Sequence, residues 1–127
     1  MTHKLPTQIR GKVTKYAGNG RKLGYPTANL AANTNLADGV YFGKAKLGAI
    51  PTANALVFIG TPTTVGDITR RVEAHVLDIP DKDYYGQSLE IEVIYFHRPN
   101  QTFASVDELL DAMKEDELTA RSWFKKH

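Results

Sequence analysis

The densest reactive chemistry of the chain lies in one short run, Gly20-Arg21-Lys22-Leu23-Gly24-Tyr25-Pro26-Thr27-Ala28-Asn29. Gly20 and Gly24 can bring backbone N–H groups close to phosphate oxygens, and Arg21 or Lys22 adds positive charge. Pro26 fixes its own φ and biases Tyr25 towards extended geometry, which would hold Thr27 in place. Thr27 offers a hydroxyl and Asn29 a carbonyl oxygen, both hard donors of the kind magnesium accepts. Such parts suit a nucleoside triphosphate and its metal. They do not form a Walker A loop, because G-x-x-x-x-G-K-[ST] is absent. The same run also reads as a glycine-rich surface turn whose Thr and Asn bond locally to backbone.

Glu73 is the second candidate. In Val72-Glu73-Ala74-His75-Val76-Leu77-Asp78, alternation places Val72, Ala74 and Val76 on one face and Glu73, His75 and Leu77 on the other. A carboxylate there is either solvated on an open face or turned into a site. His3, His75, His97 and His127 show no metal-ligand spacing, though His75 shares a strand face with Glu73. Arg98-Pro99 ends a strand just before a helix, where the arginine could contact a ligand or cap carbonyls. Glu73 lies far from Thr27 in sequence, so only a barrel could bring them together.

The elements that would position these residues are mostly strands. Period-two or apolar runs lie at Gln8–Tyr16, Val40–Leu47, Ala55–Gly60, Val72–Asp78 and Leu89–Phe96, with Asp38-Gly39 and Tyr85-Gly86 as turns. So many short strands predict an antiparallel barrel or sandwich. Residues 19–38 have no clear period and read as a long loop, which in a compact domain is usually functional. The tail differs. Ser105 with Glu108 predicts a capping box. Val106, Leu109, Leu110 and Met113, then Leu118, Trp123 and Phe124, recur at helical spacing. Asp107 and Glu108 at the start and Lys125 and Lys126 at the end suit the helix dipole.

Composition sets the bounds. At 127 residues the chain is expected to be one domain, 1–127, with a single core. Sixteen basic against fourteen acidic side chains leave a formal charge of +2 without blocks of like charge, so neither a nucleic acid nor a membrane surface is implied as partner. The absence of cysteine removes disulfides, thiolate metal sites and cysteine nucleophiles. No apolar stretch is long enough to span a bilayer and Met1–Pro6 has no signal-peptide core, which predicts a cytoplasmic protein.

In order along the chain, further residues fall into a pattern. Gly11-Lys12-Val13 precedes the Gly20–Leu30 run, which resembles G-R-x-L-G-[FY]-P-T-A-N-[LF]. Then come Gly39-Val40-Tyr41, Ile59-Gly60, Glu73-Ala74-His75-Val76 as E-x-H-[LI], and Tyr85-Gly86. Arg98-Pro99, Phe103, Ser105 and Leu109 resemble R-[PE]-x-x-x-F-x-S-x-x-x-L. In this order the chain resembles the ATP-dependent riboflavin kinases, stand-alone or as the C-terminal half of bifunctional FAD synthetases. The resemblance implies a mainly β fold, a six-stranded antiparallel Greek-key β-barrel with a C-terminal α-helix. It also implies transfer of the γ-phosphoryl group of ATP to the 5′-hydroxyl of riboflavin, giving FMN and ADP. By the family motif Gly20, Arg21, Gly24, Pro26, Thr27 and Asn29 contact the nucleotide, and Thr27 and Asn29 hold Mg2+. The resemblance likewise implies Glu73 as the catalytic base and Arg98 at the border of the flavin. Small-molecule substrates and a monomer are expected. A start at Met1 favours a stand-alone enzyme, and without an adenylyltransferase domain the product is expected to be FMN, not FAD.

The chain departs from the pattern at Tyr16, where many members carry glycine, and at Phe58, where bacterial members usually have asparagine. Pro62-Thr63 also sits one residue nearer Gly60 than usual. These positions concern the walls of the ligand site. Two other readings are a non-catalytic flavin or nucleotide module of the same fold and a barrel that binds single-stranded nucleic acid. The second would want a basic groove with interleaved aromatics, whereas the charge here is nearly balanced and the aromatics are scattered.

Overall fold

A computed structural model describes residues 5–14, 27–30, 34–61, 70–80 and 82–127. Six strands precede one helix: β1 (Thr7–Thr14), β2 (Thr27–Leu30), β3 (Gly39–Leu47), β4 (Ala53–Gly60), β5 (Arg71–Val76), β6 (Ser88–Arg98) and α1 (Val106–Lys126). The strands close into a barrel in the order β1-β2-β5-β4-β3-β6, every neighbouring pair antiparallel. β3, β4 and β5 form a meander, and β2 lies beside β5 instead of β3. That placement is the Greek-key connection, and it puts two segments distant in sequence side by side.

Alternation decides what fills the barrel. Ile9 and Val13 from β1, Ala28 and Leu30 from β2, Val72, Ala74 and Val76 from β5, and Leu89, Ile91 and Val93 from β6 belong to one buried cluster. Each described strand has a strand neighbour on both sides, though β2 covers only the Val13–Thr14 end of β1. The outer face is covered on one side by α1. Val40, Phe42, Leu56, Leu77 and Ala120 form a second buried cluster there, with Phe58, Trp123 and Phe124 packed against it. Fully burying a side chain such as Phe42 or Leu77 contributes roughly 1.5–3 kcal/mol, so this outer cluster holds the helix in place.

Two register shifts between β3 and β6 shape this wall. At the first, Val40 pairs with Arg98 and Tyr41 with Phe96, leaving His97 as an extra residue on β6. At the second, Phe42 pairs with Tyr95 and Gly43 with Val93. A bulge bends the strand and re-aims side chains. Gly43 is needed at the second shift, because a Cβ there would lie 2.2 Å from the Glu92 carbonyl oxygen.

Some sequence expectations are revised. Thr27–Leu30 is a strand inside the run read as loop, four residues being too short to show a period. β5 ends at Val76, and Asp78 sits in a turn at φ 59°. The helix begins as expected, with the Glu108 N–H donating to Ser105 Oγ at 3.1 Å. Leu118, however, is exposed, and the helix buries Asp116 and Ala120 instead. No helix among the described residues is long and apolar enough to cross a membrane.

Candidate functional site

The site follows from strand register. Asn29 in β2 pairs with Glu73 in β5. Glu73 pairs with Phe58 in β4, Phe58 with Val40 in β3, and Val40 with Arg98 in β6. Three candidate residues therefore lie on one transverse row of the outer wall. Asn29 and Glu73 are one strand spacing apart. Arg98 is four spacings from Asn29, roughly 19 Å along the sheet at about 4.8 Å per strand. The next row runs Thr27, His75, Leu56, Phe42 and Tyr95. Partners directly opposite on antiparallel strands project to the same face. Ala28 and Leu30 belong to the inner cluster, so Asn29 points outward with Glu73.

The β2–β5 end is polar and incompletely satisfied. Asn29 is 3% exposed, and its Oδ1 is buried without a hydrogen-bond partner. A buried amide oxygen left unpaired costs about 1–3 kcal/mol, and a bound water or ion is one of the ways such an atom is satisfied; Asn100 Oδ1 is in the same state. The Asn29 backbone is held by the Thr14 hydroxyl, which donates to its carbonyl oxygen at 3.2 Å. Glu73 is largely covered, and its Oε1 lies 2.5 Å from His75 Nε2. Arg71 is on the same face of β5. Burial pulls its guanidinium below the ordinary arginine range, and the charge of Glu73 works in the opposite direction.

The β6–α1 end is closed. Arg98 donates from Nε to Asp116 Oδ1 at 2.8 Å and from Nη2 to Asp116 Oδ2 at 2.7 Å. His97 Nε2 lies 3.1 Å from Asp116 Oδ1. The extra residue at the bulge lets the neighbours His97 and Arg98 reach the same carboxylate. His97 also stacks on Phe42 at 4.7 Å, and Tyr95 stacks on both Phe42 and Trp123. Between the two ends, Phe58 and Val40 form an apolar floor beside Glu73.

The structure thus brings Asn29, Glu73 and the backbone of Thr27 together and sets Arg98 at the far end of the same row. Gly20, Arg21, Gly24 and Pro26 lie outside the described residues, as does the Thr27 side chain. Reading the sequence alone overlooked Asp116. The signal was present: an acid three residues after Met113 and four before Ala120, in phase with the packed face of α1.

Mg2+ fits what is described. Among the described residues no group of three or more His, Cys, Asp or Glu could hold a metal. Magnesium bound with substrate phosphates keeps several waters and takes few protein oxygens, and Asn29 Oδ1 is a neutral oxygen of the hard type without another partner among the described residues.

The chain is similar to several known proteins. A bifunctional riboflavin kinase/FMN adenylyltransferase of Escherichia coli strain K12 is 37% identical over 122 residues, covering 94% of this chain and 38% of its own. The chain therefore spans well under half the length of that relative. A riboflavin kinase of Mus musculus is 29% identical over 119 residues, covering 88% of this chain and 77% of its own. The solved riboflavin kinase of Trypanosoma brucei shares the fold, with a TM-score of 0.68 at 23% identity over 98% of this chain and 84% of that one. The family model described as Flavokinase: Riboflavin kinase matches residues 3–124, a span holding both ends of the Asn29–Arg98 row, and the chain belongs to the riboflavin kinase family.

Proposed function

We propose that this chain transfers the γ-phosphoryl group of ATP to the 5′-hydroxyl of riboflavin, giving FMN and ADP. The observation that carries the reading is the pairing of Asn29, with its orphaned buried oxygen, against Glu73 in a member of this family. Phosphoryl transfer needs in-line positioning and charge neutralisation more than covalent help. Glu73 orients the attacking hydroxyl and takes its proton as the new P–O bond forms and the bond to the ADP oxygen breaks. The alcohol becomes acidic only late in that step, so an ordinary carboxylate suffices. Asn29 and Thr27 would hold Mg2+, which supplies neutralisation of phosphate charge when bound.

The remaining assignments rest on the family motif. Gly20, Arg21, Gly24 and Pro26 border the nucleotide. Arg98, fixed by Asp116, borders the flavin beyond the apolar floor of Phe58 and Val40. A cytoplasmic monomer acting on small molecules, with residues 1–127 as one kinase domain, completes the proposal.

The test is chromatographic: incubate the purified chain with riboflavin, ATP and magnesium and look for FMN. Product is expected only when all three are present. Glu73→Gln should retain ATP binding and lose turnover by about 10²- to 10⁴-fold, the usual range for a general base. Full activity in that variant would remove Glu73 from the mechanism. No product under any nucleotide or metal would leave a binding module of the same fold.

A further inference from the structure

We propose that His75 is the positioning residue for Glu73. The inference rests on the reading of Glu73 as proton acceptor and adds the group that aims it. The two side chains project from the same face of β5, two residues apart, with Nε2 at 2.5 Å from Oε1. Both are largely removed from water, at 9% and 14% side-chain exposure. An ionised carboxylate only accepts, so the proton between them is carried by Nε2. A hydrogen bond to an ionised carboxylate is stronger than one between neutral groups.

The consequence is geometric. A glutamate has three side-chain torsions, and a base must sit within hydrogen-bond reach of the proton it takes. Occupying Oε1 fixes the carboxylate plane and presents Oε2 as the accepting oxygen. No hydrogen bond to Oε2 is formed by the described residues. In register, His75 stands opposite the Thr27 backbone on β2 and Leu56 on β4. Sheet-mounted groups are held more exactly than groups on loops. Misplacing a reacting group by about 1 Å can cost on the order of 100-fold in rate.

The experiment compares His75→Leu, His75→Asn and His75→Gln in steady-state FMN formation, with thermal midpoints measured on each. The glutamine amide nitrogen reaches the place of Nε2, and the asparagine nitrogen reaches only that of Nδ1. Expected are a kcat loss of about 10- to 100-fold in His75→Leu and His75→Asn, near-unchanged KM for ATP and riboflavin, and recovery of most turnover in His75→Gln. Adding His75→Leu to Glu73→Gln should cost little more than Glu73→Gln alone, because His75 acts through that carboxylate.

Wild-type kcat in His75→Leu would overturn the proposal. So would equal turnover in the Asn and Gln variants, or a loss that persists undiminished on the Glu73→Gln background. If His75→Leu unfolds, the two polar variants still decide the matter. Full activity in Glu73→Gln would instead refute the role of Glu73, a separate result from a failure of His75.

Discussion

The two ends of the outer row contain similar groups in opposite states. At the β6–α1 end, Arg98, His97 and Asp116 form a closed set in which both carboxylate oxygens are engaged. At the β2–β5 end, Glu73 has a partner on one oxygen and Asn29 Oδ1 has none. Charged and polar side chains alone do not mark a site. The two clusters differ in saturation: both oxygens of Asp116 are met within the protein, whereas Asn29 Oδ1, like Asn100 Oδ1 just beyond β6, has no partner among the described residues.

This contrast makes different variants fail in different ways. Glu73→Gln should show the largest effect, its turnover falling by about 10²- to 10⁴-fold, with a smaller stability loss than at Asp116 because the amide oxygen can still accept from His75 Nε2. Asp116→Asn should chiefly lose stability, with its functional effect confined to riboflavin binding through Arg98. Removing one member of a buried pair costs about 3–5 kcal/mol, and the low end applies because Arg98 keeps a quarter of its side chain in water. Chemical denaturation is the measurement, and unaltered stability would break the distinction between the two ends.

Asn29→Ala should weaken ATP binding in the presence of magnesium by about 10-fold or more, in line with one lost hydrogen bond or ligand. It should cost the unliganded protein little stability, since the removed oxygen has no partner to lose. Calorimetric titration with and without magnesium checks this, and equal affinities in wild type and variant would close the β2–β5 end as a metal site.

The smallest effect belongs to a third anchor. Asp78 accepts from Arg121 Nη1 at 3.0 Å and from Nη2 at 3.1 Å. Those bonds hold its carboxyl below the ordinary aspartate range, and burial offsets them only in part. A lowered folded value contributes stability above the unfolded pKa of about 3.9 and loses it as pH falls through the folded one. The pair is largely exposed, so Asp78→Asn should cost only a few tenths of a kcal/mol near pH 7. The difference from wild type should shrink below about pH 4. Asparagine tolerates the positive φ at this position, which isolates the charge.

How much of this was legible in the sequence depended on how local each signal is. The inner face of β6 and the two faces of β5 follow from period-two alternation. The start of α1 follows from Ser105 and Glu108. Glu73 and Asn29 stood out by residue type and motif, but their adjacency did not. It arises from the Greek-key step that sets β2 beside β5, a contact across more than forty positions that no local pattern encodes. β2 was hidden because a four-residue strand cannot display a period. Asp116 was hidden because one acid on an apolar helical face reads as a solvated charge until a bulge is known to bring Arg98 and His97 to it.

β5 carries core and polar residues in alternation, Val72, Ala74 and Val76 inward and Arg71, Glu73 and His75 outward. Tolerance of inserted or deleted residues in this strand therefore has a parity. A change of one residue reverses every side chain beyond it, sending polar groups into the barrel and apolar groups to the outer wall. A change of two restores the facing and alters only length. Among descendants of this sequence, length variation within β5 should come in even steps, while the turns beside it remain free to vary in either.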